Sequence, residues 1–179
     1  MTGQAHIDAA TGGSRWRIIG WSIAAALIAT PMVAMQFTDE VKWGPEDFLF
    51  ATGMIGGVGL LFELTVRAQA SWAYRAGVAL ALVASFLLIW INLAVGILGN
   101  EDNPANLMFF ALPLFAALGA AVTRFRPRSM AWTMTLAAAG QVIVLIAAWW
   151  MGFGVIAPIT AFFATLWLLS AALFRQAAD

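Results

Sequence analysis

Six stretches of this chain are apolar over about the length that a helix needs to cross a bilayer, roughly 20 residues. They run approximately over 16–37, 48–66, 76–98, 107–123, 130–151 and 157–174. None shows the strict apolar–polar alternation of a membrane-barrel strand. Backbone groups in lipid must be hydrogen-bonded within their own segment, so the runs are expected as helices. The expected fold is an all-α integral membrane protein, a six-transmembrane-helix bundle over 15–175. A flexible polar tail is expected at 1–14 and a short tail at 176–179. Composition agrees, since 63% of the residues are hydrophobic and only 10% charged. A water-facing domain of this size could not hide so much apolar surface. The first run follows a polar segment and lasts about twenty residues, too long for a cleaved signal core, so it is read as a retained span.

The charges are sorted along the chain. Arg15 and Arg17 precede the first span, and Arg67 and Arg75 lie between the second and third. Arg124, Arg126 and Arg128 lie between the fourth and fifth, and Arg175 follows the sixth. With six crossings, all the arginines fall on one side and Lys42 alone on the other. The positive-inside rule then expects both termini in the cytoplasm. Asp39, Glu40, Glu46, Asp47, Glu101 and Asp102 fall on the opposite side. Most of the tryptophans lie near the span ends, as an aromatic belt requires. Trp167, deep in the sixth span, does not fit that pattern.

A faint repeat is visible, with spans two, four and six each starting near a proline (Pro45, Pro104, Pro158) and ending near an arginine (Arg67, Arg124, Arg175). It reads either as duplication or as local helix grammar used three times.

The most polar stretch between spans is "GNEDNPANL", Gly99 to Leu107. Asn103 suits an N-cap, Pro104 a first helical residue and Gly99 a helix end. If the third helix persists, Asn92, Gly96, Asn100 and Asn103 share one face. Asn92, Asn100, Glu101, Asp102 and Asn106 are therefore candidate contacts for a cation or small solute. The alternative is that they only cap helices and bond between them. The six carboxylates on that side could hold a hard cation such as Ca²⁺, although no EF-hand spacing is present. Glu63 is the only acid inside a span; it reads as an ion pair with Arg67 four residues on, or as part of a cation or proton relay. Gly53 and Gly57 form a small-xxx-small pair for helix packing, within the chain or against another copy. Gln141 in mid-span and Gln36 near a span end read as helix glue or cavity lining. Pro31, Pro113 and Pro158 are candidate kink positions.

Several chemistries lack their residues. Cysteine is absent, and the one histidine, His6, lies in the tail. Haem ligation by two histidines, His or thiolate metal sites and Ser-His catalysis are not expected. No aspartate lies within a span, and no phosphate-binding glycine loop is present. No catalytic residues, cofactor, bound metal or nucleic-acid partner are expected, and the chain is not read as an enzyme.

"WGPEDF" (Trp43–Phe48), "NLAVGILGNEDNPANLMFF" (Asn92–Phe110) and "RFRPR" (Arg124–Arg128) resemble motifs of a group of small bacterial inner-membrane proteins of unknown function. The resemblance covers spans two to five. It implies a bacterial inner-membrane setting and brings no activity, cofactor or catalytic residue. Two functional expectations stand. One is a non-enzymatic handler of a solute or cation through the acidic, amide-rich face. The other is an accessory or scaffold subunit, alone or as a homo-oligomer, in a larger membrane complex.

Overall fold

The computed structural model describes residues 2–68, 71–154 and 156–179. Among them there is no strand. Six helices are long and apolar enough to cross a membrane. The chain divides into two compact units, Met1–Glu63 and Leu64–Asp179.

The first unit holds α1 (Thr2–Ala34) and α2 (Pro45–Ala68) up to Glu63. α1 runs back through the polar segment read above as a tail, and its apolar window is Arg17–Ala34. Pro31 lies inside α1. α2 starts at Pro45, with Glu46 and Asp47 in its first turn beside the positive helix end. The carboxylate of Asp47 accepts from the Gly44 backbone N–H at 2.8 Å, while the Asp47 N–H donates back to the Gly44 carbonyl at 3.1 Å. This reciprocal pair fixes where the loop becomes helix.

The second unit is a four-helix bundle of α3 (Trp72–Ala94), α4 (Leu107–Val122), α5 (Pro127–Trp150) and α6 (Ala157–Gln176). Short connections make successive helices antiparallel, and α3 packs on α6 to close the ring. Lipid-compatible helices gain little from hydrophobicity when they meet, so close packing has to hold them. Small residues provide it. Ala84, Ala137 and Ala148 are fully buried. A Cβ at Gly119 would overlap the Thr133 side chain, and one at Gly140 would sit 2.8 Å from Leu112 Cδ2, so both glycines seat α4 against α5. The Ser170 hydroxyl donates to the Gly77 carbonyl at 2.7 Å and ties α6 to α3.

Caps set the helix ends more sharply than hydropathy does. The Ser71 hydroxyl accepts from the Tyr74 N–H, so α3 starts at Trp72 rather than 76. Pro127 opens α5, three residues before the apolar run. Pro158 also sits in the first turn of its helix, not in mid-span. Since Pro127 opens a helix too, the proline starts are not peculiar to the second, fourth and sixth spans.

Candidate functional site

The α3–α4 loop differs most from its expectation. α3 ends at Ala94, not 98. Gly96 takes φ +69°, a left-handed conformation that closes the helix, and its N–H donates to the Asn92 carbonyl at 3.2 Å. A Cβ there would overlap the Asn100 backbone. The helix therefore does not persist, and Asn92, Gly96, Asn100 and Asn103 do not form one helical face. Gly99 turns left-handed as well, at φ +74°, but inside the loop.

Asn103 caps as expected: its side chain accepts from Ala105 N at 3.0 Å, and Pro104 opens a short 3₁₀ turn, Pro104–Asn106, that leads into α4. Asn106 has a larger role. It is buried, and its Oδ1 accepts from the N–H groups of Ile97 at 3.1 Å and Leu98 at 2.8 Å. Its Nδ2 donates to the carbonyls of Leu98 at 3.3 Å and Asn100 at 2.7 Å. One amide thus satisfies four backbone groups of a loop that leaves the helical ladder. Its hydrogen-bonding capacity is taken up by the chain itself. Asn100, Glu101 and Asp102 are exposed on the outside of this loop. Among the described residues, no three His, Cys, Asp or Glu side chains come together in a way that could hold a metal ion.

Glu63 belongs to the first unit. Its carboxylate accepts from the Arg17 guanidinium and from Trp21 Nε1, the latter at 3.1 Å. Both partners come from α1, over forty residues away. Gly59 leaves room for the Trp21 ring, since a Cβ would sit 3.2 Å from its edge. The Arg67 side chain, the partner expected from sequence, lies outside the described residues. In the same unit Gly53 and Gly57, with Gly56, have nothing within 4 Å of where a Cβ would stand. Gln36 is exposed in the turn after α1, and its amide donates to the Met32 carbonyl in the last turn of that helix.

The interior of the second unit carries polar groups without partners. Gln141 is 0% exposed, and neither its Nε2 nor its Oε1 has a hydrogen-bond partner among the described residues. Trp167 is also 0% exposed, with its Nε1–H unpartnered. Gln141 stands nine residues before the end of α5, and Trp167 ten residues after the start of α6. At the helical rise both lie about 14 Å from the loop end of the bundle, on adjoining antiparallel helices. A second level lies near that end, where Asn92 Oδ1 and Thr160 Oγ1 are buried and unpartnered. The other half of the Asn92 amide donates to the Leu88 carbonyl at 2.7 Å. Leu88 and Val144 stand six residues before the ends of α3 and α5, and Phe163 six after the start of α6, so by helix register these buried residues fall between the two levels. No charged side chain is buried in this unit among the described residues.

An amide moved from water into an apolar medium without a hydrogen bond costs about 2–7 kcal/mol. Buried sites with several such atoms are ordinarily filled by water or another hydrogen-bonding molecule. The interior can donate from Gln141 and Trp167 and accept at Gln141 and Asn92, while Thr160 can do both. Among the described residues it carries neutral dipoles and no formal charge.

Sequence reading singled out Asn92, Gln141 and the misfit of Trp167, but it missed Thr160 and Ser170. The spacing from Trp167 carries the signal: Thr160, Phe163, Ser170 and Phe174 follow the three- and four-residue steps of one buried face. Compared with family models, curated proteins and solved structures, the chain finds no match, so its function has to be read from its own residues.

Proposed function

We propose that this chain is a six-span protein of a bacterial inner membrane, with both termini cytoplasmic, that handles a small uncharged polar solute between α3, α5 and α6. The observation that carries this reading is Gln141, wholly buried in mid-helix with both amide atoms unpartnered, level with the Trp167 N–H. Neutral polar groups in an otherwise apolar core suit a neutral hydrogen-bonding molecule. The N–H donors of Gln141 and Trp167 beside the acceptors favour a neutral molecule that both donates and accepts over a bare cation. The apolar layer of Leu88, Val144 and Phe163 makes the inner level an occluded site that opens by helix movement rather than a standing pore. The acidic loop then shapes the mouth, and Asn106 holds it in place. The arginine sorting and the motif resemblance support the inner-membrane setting and the orientation.

The test is permeability of proteoliposomes to urea and glycerol, read by stopped-flow light scattering. The full chain should raise permeability to at least one of them above that of empty vesicles. Gln141→Leu should abolish the increase while leaving the melting temperature unchanged or higher, because it replaces an unpartnered amide with apolar bulk. Wild-type vesicles no more permeable than empty ones, or a Gln141→Leu protein that retains the increase, would reject the reading.

A second reading, a scaffold subunit, draws on the open glycine strip of α2. Gly53, Gly56 and Gly57 present a surface that another helix could approach closely. It predicts that mild detergent extracts the chain with a stoichiometric membrane partner, and that Gly53→Leu releases that partner.

A further inference from the structure

The solute reading leaves the opposite end of the four-helix bundle unexplained. There the α4–α5 turn carries Arg124, Phe125, Arg126 and Arg128, all exposed. None of the three guanidinium groups makes a hydrogen bond or ion pair with another described residue. Of the acids in this unit, Glu101 and Asp102 lie in the α3–α4 loop at the other end, and only Asp179 shares the arginine end. Arg175, in the last turn of α6, stands at the same end of the bundle, donating to the Thr135 hydroxyl at 3.4 Å and lying over the Trp132 ring at 5.8 Å. Three arginines within five residues, with no acid in the turn, make a locally positive surface that favours an anion.

The turn is also held in a fixed shape. Arg124 and Phe125 have φ of +51° and +57°, the only non-glycine residues with positive φ among those described. Phe125 N–H donates to the Ala120 carbonyl at 3.0 Å. From the other side, the buried Tyr74 hydroxyl donates to the Phe125 carbonyl at 2.7 Å. Tyr74 is itself seated against the Phe174 ring. The arginines therefore project from a turn fixed by the bundle core rather than from a loose loop.

Large exposed aromatic side chains stand at the same end of the bundle. Trp72 is 65% exposed, Trp132 61% and Phe125 52%, at the start of α3, the start of α5 and the turn itself. Amphipathic and apolar rings at such a level mark the membrane–water boundary, where headgroup phosphates lie. A nucleic acid would need the cations to stand clear of the lipid, and here they are interleaved with apolar rings. We propose that the Arg124–Arg128 turn, with Arg175, is a binding site for the headgroup of an anionic phospholipid of the phosphatidylglycerol type. The site rests on the reading that the helices cross a bilayer, and not on the solute reading.

The test uses the full chain in detergent, titrated with short-chain phosphatidylglycerol or phosphatidylcholine, with bound lipid counted by native mass spectrometry. Phosphatidylglycerol should be retained in preference to phosphatidylcholine. At about fivefold per arginine near an anionic headgroup, the triple substitution Arg124→Gln, Arg126→Gln and Arg128→Gln should weaken it by about 100-fold. The matching triple lysine variant should keep most of the preference. Tyr74→Phe, which leaves the charge unchanged and frees the turn, should also lower it. Equal retention of both lipids by the parent chain, or an unaltered preference in the glutamine variant, overturns the proposal. So does displacement of the lipid by millimolar inorganic phosphate or by a short RNA, since either would assign the arginines to another anion. An unaltered preference in Tyr74→Phe overturns the preset turn.

Discussion

Asn106 shows how one side chain can decide what a polar loop is for. Its amide closes the α3–α4 loop through four hydrogen bonds to backbone groups of Ile97, Leu98 and Asn100. Asn106→Ala would leave several partly buried N–H and carbonyl groups without partners. It should destabilise the protein by about 2–3 kcal/mol, measured by reversible unfolding in mixed micelles. Glu101→Ala and Asp102→Ala, on the exposed side of the same loop, should change stability by no more than about 0.5 kcal/mol. A larger loss at the two acids than at Asn106 would reverse this division between frame and surface. Asn103, Pro104 and the helix-opening role of Asp47 could be read from local order. The role of Asn106 could not, because its partners become neighbours only after Gly96 turns the chain left-handed.

At the scale of elements, what matters is how closely two helices approach. Gly119 lies against Thr133 of α5, a β-branched side chain on a helix with little freedom to swing away. Gly119→Ala should therefore cost about 1–3 kcal/mol through forced separation of α4 and α5. Gly53→Ala puts a methyl where nothing lies within 4 Å and should be neutral or stabilising by up to about 1 kcal/mol, through helix propensity alone. Thermal unfolding of the two variants side by side reads the contrast. A destabilised Gly53→Ala would mean that α2 already packs closely on another helix in the purified protein. Helix existence was legible because twenty apolar residues in a row have few other fates. Helix ends were less legible: hydropathy put the starts of α3 and α5 at 76 and 130, while the Ser71 cap and Pro127 set them at 72 and 127. Helix rotation was the least legible feature, because a span that is apolar all round gives little periodic signal of which face turns inward.

For the whole molecule, the arginine sorting makes a prediction that needs no ligand. A reporter fused behind Phe125 should be active if it works in the cytoplasm and silent if it needs the periplasm. A periplasmic result would mean either an inverted topology or an odd number of crossings before that turn, and would overturn the arginine sorting. The same asymmetry would put the anionic-lipid site in the inner leaflet and the amide-closed loop at the outer surface.

Sequence by itself determined six apolar helices long enough to cross a membrane, the first turn of α2 and the Asn103 cap before α4. Each of these depends on residues within a few positions of one another and on the transfer of side chains out of water. Tertiary structure alone decided that Glu63 meets Arg17 and Trp21, that Ser170 bonds the Gly77 carbonyl, and that Gln141 and Trp167 are sealed at one level without partners. Those outcomes depend on how each helix is rotated about its axis. That rotation is chosen by small-residue contacts between segments far apart in the chain, and no local pattern of hydropathy encodes it.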